Sequence, residues 1–179
     1  MKKIISLTLI FLLMLSGCTT PAEPKVIPHT VDLPEQRPED FTFFMDWGYG
    51  DGNYLDTERK MIGKDMVSDE DVESEIEISD DLLDQIYLAL RHYDIASIDF
   101  ELNSENCMGK GEHGYDVTPC ASYLIRFRVE GKEYEVRADD TAEGYQCTQN
   151  FFGFVKYACE LVYATPEYKA FPAAEGGYD

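Results

Sequence analysis

The chain has 179 residues and carries 35 Asp and Glu against 15 Lys and Arg, a formal net charge of −20. With 44% hydrophobic residues it holds enough apolar material for a core, and its length suits one domain rather than two. The acidity excludes nucleic acid, which needs a basic stripe to displace counterions, and gives no attraction to an anionic bilayer.

The chain opens with Lys2 and Lys3 and then runs uncharged from Ile4 to Leu15. A spanning helix needs about 20 apolar residues; this shorter run fits the hydrophobic region of a secretory signal. It ends in Leu15-Ser16-Gly17-Cys18. That ending resembles the lipobox of bacterial lipoproteins: a Leu three residues before a Cys, then two small residues. The resemblance implies diacylglyceryl (palmitate-type) modification of the Cys18 sulfur, cleavage between Gly17 and Cys18, and anchoring on the extracytoplasmic face of the cell membrane. Residues 1–17 are then a signal peptide. Their removal takes away two lysines and no acid, so the mature chain is more acidic still.

Residues 18–40 read as a lipidated Cys followed by a linker. Five of the eight prolines fall here (Pro21, Pro24, Pro28, Pro34, Pro38), and no apolar periodicity is evident. His29, inside this stretch, receives no role.

Residues 41–179 are the expected domain. From Phe41 to Tyr49 the aromatic and apolar side chains alternate, which predicts a strand, and Gly50-Asp51-Gly52-Asn53 predicts a turn. Residues 57–67 predict a second strand. Val72, Ser74, Ile76 and Ile78 alternate with Glu73, Glu75 and Glu77, a third strand with an acidic outer face. Ser79 is a good N-cap, Asp80 and Asp81 favour the positive end of a helix dipole, and Leu82, Leu83, Ile86, Tyr87 and Leu90 form one apolar stripe. This helix fades near Tyr93.

Residues 121–139 predict a hairpin turning at Glu130-Gly131. In that register Phe127 faces Tyr134, Ile125 faces Val136 and Tyr123 faces Ala138; on the other side Arg128 faces Glu133 and Arg126 faces Glu135. A second helix follows over 149–163, stopped by Pro166, and Tyr168, Phe171 and Tyr178 are expected to pack back onto the body. The sum is an α+β domain, an antiparallel sheet of about five strands with two helices on one face.

Besides Cys18 the chain holds Cys107, Cys120, Cys147 and Cys159. Four cysteines in an exported domain favour disulfides. If 148–162 is helical, Cys147 and Cys159 are about 18 Å apart along the axis, too far for a bridge. The favoured set is Cys120–Cys147 with Cys107–Cys159, and a single Cys107–Cys120 bridge is the rival. Cys107, His113 and Cys120 with Glu112 also raise zinc, against which the absence of a paired C-x2-C spacing counts, and free buried thiols are the third reading.

No nucleophile elbow, HExxH, P-loop or dinucleotide fingerprint occurs. His92 falls at the end of the first helix, where a cation suits the dipole, and His113 falls in a Gly-rich loop. The acidic run from Asp65 to Asp84 reads as a solvated face, as a surface for a basic protein partner, or as a calcium site around Asp69, Asp71 and Glu73 that lacks an EF-hand's Gly. Asp46, Asp51, Asn53 and Asp56 form a weaker calcium candidate. The pieces Trp47 to Tyr54 and Pro166 to Ala170 are similar to segments of uncharacterised lipoproteins of low-GC Gram-positive bacteria, a resemblance that brings no activity with it.

The expectation is a membrane-anchored, non-catalytic binding module of the cell envelope, with a protein or envelope partner and no cofactor. The alternatives are a small hydrolase-like envelope enzyme and a calcium-binding domain.

Overall fold

A computed structural model describes residues 26–50, 52–107 and 119–176. The signal segment, Cys18, Asp51, Glu112, His113 and Tyr178 lie outside the described residues.

The fold is α+β. Six strands, β1 (Thr42–Gly48), β2 (Tyr54–Asp56), β3 (Met61–Lys64), β4 (Val72–Glu75), β5 (Ser122–Val129) and β6 (Lys132–Asp139), form one antiparallel sheet in the order β4-β3-β2-β1-β5-β6. The helices are α1 (Asp80–His92), α2 (Ser104–Cys107), α3 (Gln149–Ala164) and α4 (Pro166–Ala170). The long helices, α1 and α3, cover one sheet face, where Phe43, Met45, Leu55, Ile62, Ile125, Phe127 and Val136 are buried.

The alternation in β1 places Phe43, Met45 and Trp47 inside and leaves Thr42, Phe44, Asp46 and Gly48 half-buried on the other face. The sixth strand is β2, which lies just before the segment expected as a strand over 57–67; within that segment the strand is Met61–Lys64. The Asp56 carboxylate accepts the Glu58 and Arg59 N–H groups, and Lys60 takes a left-handed φ of 55°. This side-chain-capped turn occupies the start of the expected strand and separates β2, which pairs with β1, from β3, which begins after it. Buried Thr57 seals the divergence: its hydroxyl accepts from Phe43 N–H at 2.8 Å and donates to Phe43 C=O at 2.9 Å.

The β5–β6 hairpin has every pairing expected from the sequence. Its turn residues Glu130 and Gly131 both have positive φ, 50° and 75°, as a two-residue turn with the twist of the strands requires. Asp40 grips this turn, accepting the Glu130 and Gly131 N–H groups at 3.0 and 2.6 Å. Phe127 stacks on Tyr134 with centroids 4.7 Å apart. Arg128 binds Glu133, and also Glu58. Arg126 does not bind Glu135; its guanidinium lies 4.4 Å over the Phe44 ring, and Glu135 is taken by Arg137. Stacking on the aromatic neighbour across β1 displaces the cross-strand charge pair.

Ser79 caps α1 as expected, its Oγ accepting from Leu82 N–H at 3.1 Å. Helix α3 ends at Thr165, whose hydroxyl accepts from Tyr168 N–H, so Pro166 starts the short α4 as well as stopping α3. Tyr168 and Phe171 pack back onto the core, as the tail's aromatics foretold.

Residues 26–40, expected as linker, lie on the body. Ile27, Val31 and Leu33 pack against the core. Tyr87 O–H donates to Pro34 C=O at 2.8 Å, Arg91 donates to Glu35 C=O at 3.1 Å, and Arg37 binds both Asp80 and Asp84. The prolines stiffen this strap and lower the entropy lost when it is laid down.

Candidate functional site

The sheet face away from α1 and α3 carries none of these helices, and its surface is built by the second side of each strand. The cross-strand row Glu73, Gly63, Tyr54, Asp46, Leu124, Arg137 lies beside the row Glu75, Met61, Asp56, Phe44, Arg126, Glu135. Phe44, Tyr54, Met61 and Leu124 are half-buried, so an apolar strip runs through a charged frame.

Three planar groups stack along it. Arg126 covers Phe44, and Phe44 stacks on Tyr54 at 6.5 Å with 20° between the rings. Gly63 makes the next step possible: a Cβ there would collide with the Tyr54 ring and lie 2.7 Å from the Gly52 carbonyl oxygen. Without that Cβ the ring crosses β3 and donates its hydroxyl to Glu73 on β4 at 2.6 Å. Burial, and next the Glu73 hydrogen bond, push the Tyr54 phenol up to about 12. Beside the stack is a hollow of about 250 Å³ lined by Phe44, Arg126 and Arg128 and by the acids Asp56, Glu58 and Glu133. Arg128 is committed to Glu58 and Glu133, whereas Arg126 forms no ion pair among the described residues.

The calcium candidates are dispersed. Asp71 accepts from Met66 N–H, Glu73 accepts from Tyr54, and Asp69 is exposed in the turn before β4. Asp56 caps the turn after β2. Among the described residues no group of three His, Cys, Asp or Glu side chains converges to hold a metal ion.

No disulfide joins any two of Cys107, Cys120, Cys147 and Cys159. The expected pairs, Cys120–Cys147 and Cys107–Cys159, are not formed, nor is the rival Cys107–Cys120. Cys120 instead donates its thiol to Asp140 at 2.8 Å, and burial, reinforced by that carboxylate, raises its pKa. Cys147 is buried in the tight turn before α3, and Cys159 is buried on α3 itself, its thiol pushed up to about 11 by burial. Thiols held this far toward the protonated form are poor nucleophiles.

His92 occupies the last turn of α1, in a groove with Leu88, Tyr93 and Tyr157. His29, given no role from sequence, joins Asp94 and Ser97: His29 Nδ1 is 2.8 Å from Asp94 Oδ1, and Ser97 O–H donates to that same oxygen at 2.7 Å. The residue types suggest a serine hydrolase, but the order does not. The carboxylate stands between histidine and serine, and Ser97 Oγ already accepts the Thr30 and Val31 N–H groups. The imidazole does not face the hydroxyl to activate it, so this array is a clasp and not a nucleophile.

No helix among the described residues is long and apolar enough to cross a membrane. No protein-family model, curated protein or solved structure matches this chain.

Proposed function

We propose that this chain is a lipid-anchored extracytoplasmic protein whose body is a non-catalytic binding module, and that the helix-free sheet face receives a protein partner. The anchor reading is supported by the sequence Leu15-Ser16-Gly17-Cys18 after a positively charged, short apolar segment. The observation that carries the binding reading is the Arg126–Phe44–Tyr54 stack. It is a half-buried apolar strip ending in a guanidinium that has no carboxylate partner among the described residues, in a chain with far more acids than bases. Such a surface suits a partner segment presenting a carboxylate beside an apolar side chain, because Arg pairs with carboxylates in a fixed fork while its flat face rests on an aromatic ring. Long-range repulsion from the acidic body keeps the encounter weak until the two surfaces touch.

Crosslinking in intact cells tests this. The anchored chain should give a crosslinked species that survives Leu88→Ser, on the helix layer, and disappears with Arg126→Glu. Loss with Leu88→Ser and retention with Arg126→Glu would move the partner to the opposite side of the domain and overturn the assignment.

A further inference from the structure

His29 sits between two carboxylates. Its Nδ1 is 2.8 Å from Asp94 Oδ1 and its Nε2 is 2.9 Å from Asp32 Oδ1. Neutral imidazole carries one N–H and one lone pair, so it donates to one carboxylate and sets a lone pair against the other. Only imidazolium donates to both. The geometry therefore favours the protonated ring.

The Asp94 oxygen that meets His29 also accepts from Ser97 O–H. Ser97 is buried, and its Oγ accepts two successive backbone N–H groups of the strap, Thr30 at 2.9 Å and Val31 at 3.1 Å. Asp94 reaches both partners because it follows α1 in the left-handed region, φ 55°, which Asp tolerates better than most residues. The charge on His29 is thus two hydrogen bonds away from the backbone contacts that hold Thr30 and Val31 down.

We propose that His29 is a pH-sensitive latch on the amino-terminal strap: protonated, it ties Asp32 of the strap to Asp94 of the body and holds residues 27–32 in place; neutral, it lets them lift. The charged and titratable groups around it are Asp32 on its own segment, Asp94 between α1 and the tight turn Ile95–Ser97, and Arg91 in the last turn of α1. All line the same small hollow beneath the strap. Arg91 holds the next part of the strap through Glu35 C=O and stays charged throughout, as does Arg37 on Asp80 and Asp84. The latch therefore governs the first part of the strap and leaves residues 34–40 seated.

The sign follows from the partners. Hydrogen bonds to Asp32 and then Asp94 raise the His29 pKa. A raised folded-state value gives stabilisation that is complete below the ordinary imidazole value of about 6.5 and is lost as pH rises through the raised one. The strap is tight in acid and looser in mild alkali. If the anchor at Cys18 is as proposed, lifting residues 27–32 adds about 20 Å of fully extended reach, at about 3.3–3.6 Å per residue, between the membrane and the body.

The test uses the full chain in detergent micelles and does not depend on lipidation, so its failure is separable from failure of the anchor reading. Hydrogen-exchange protection of the Thr30 and Val31 amides should fall several-fold between about pH 5.5 and about pH 8.5. The His29 ring signal should titrate above the ordinary value. Protection should become pH-independent in His29→Gln (low throughout) and in His29→Arg (high throughout). Ser97→Ala should abolish it at both pH values, showing that these amides report docking. Equal protection at both pH values in the unaltered chain, or a pH dependence that persists in His29→Gln, would overturn the proposal.

Discussion

Replacing Phe154 by Ala should lower the free energy of unfolding by about 3–5 kcal/mol, the range for a fully buried aromatic side chain removed from a packed core. Phe154 has no exposed surface. Its ring meets Phe43 of β1 edge-to-face at 5.9 Å and Tyr93, just beyond α1, at 6.4 Å. It therefore joins the sheet, α1 and α3, the three parts that make the domain. Collapse around the cavity is restricted because Phe43 is pinned by Thr57 on its backbone and Tyr93 packs against Gly153. Urea unfolding with an unchanged slope measures the loss. A cost below about 1 kcal/mol would mean that α3 does not seat on the sheet as described.

Gly63→Ala should cost about 1–3 kcal/mol, although the site is a strand and Ala has the better propensity for ordered backbone. The new Cβ meets the Tyr54 ring on one side and the Gly52 carbonyl oxygen, at 2.7 Å, on another. A ring can swing; a backbone carbonyl cannot without disturbing β2. The same substitution has a second readout. Driving Tyr54 off β3 removes its burial and its bond to Glu73, so a phenol that titrates at about 12 should return toward the ordinary value of about 10. Spectrophotometric titration shows this directly. An unchanged high-pH transition would mean that Tyr54 keeps its place and that Gly63 does not shape the binding face.

The elements with strong periodicity were legible in the sequence. The β5–β6 hairpin follows from one register that satisfies both faces, and α1 from a Ser cap followed by a stripe at helical spacing. Residues 54–56 escaped because a three-residue strand has no period to read; its evidence is the Asp56 cap that ends it. The strap escaped because its prolines hide Ile27, Val31 and Leu33, whose partners lie far along the chain. His29 looked solvated for the same reason, since Asp94 is distant in sequence and becomes a neighbour only when the strap docks. The proposed binding face was half visible. Arg126 and Glu135 were rightly placed opposite each other, but the aromatic ring that captures Arg126 comes from β1, and that pairing needs the sheet order. The contact of the Cys120 thiol was not legible, because the Asp140 carboxylate that receives it is 20 residues away along the chain.

Metabolic labelling with palmitate tests the proposed tether at Cys18 most directly. Label should enter the unaltered chain, which should fractionate with membranes and lack residues 1–17, and it should be absent from Cys18→Ser. An unaltered chain that takes up no palmitate and is recovered from a detergent-free wash would contradict the account.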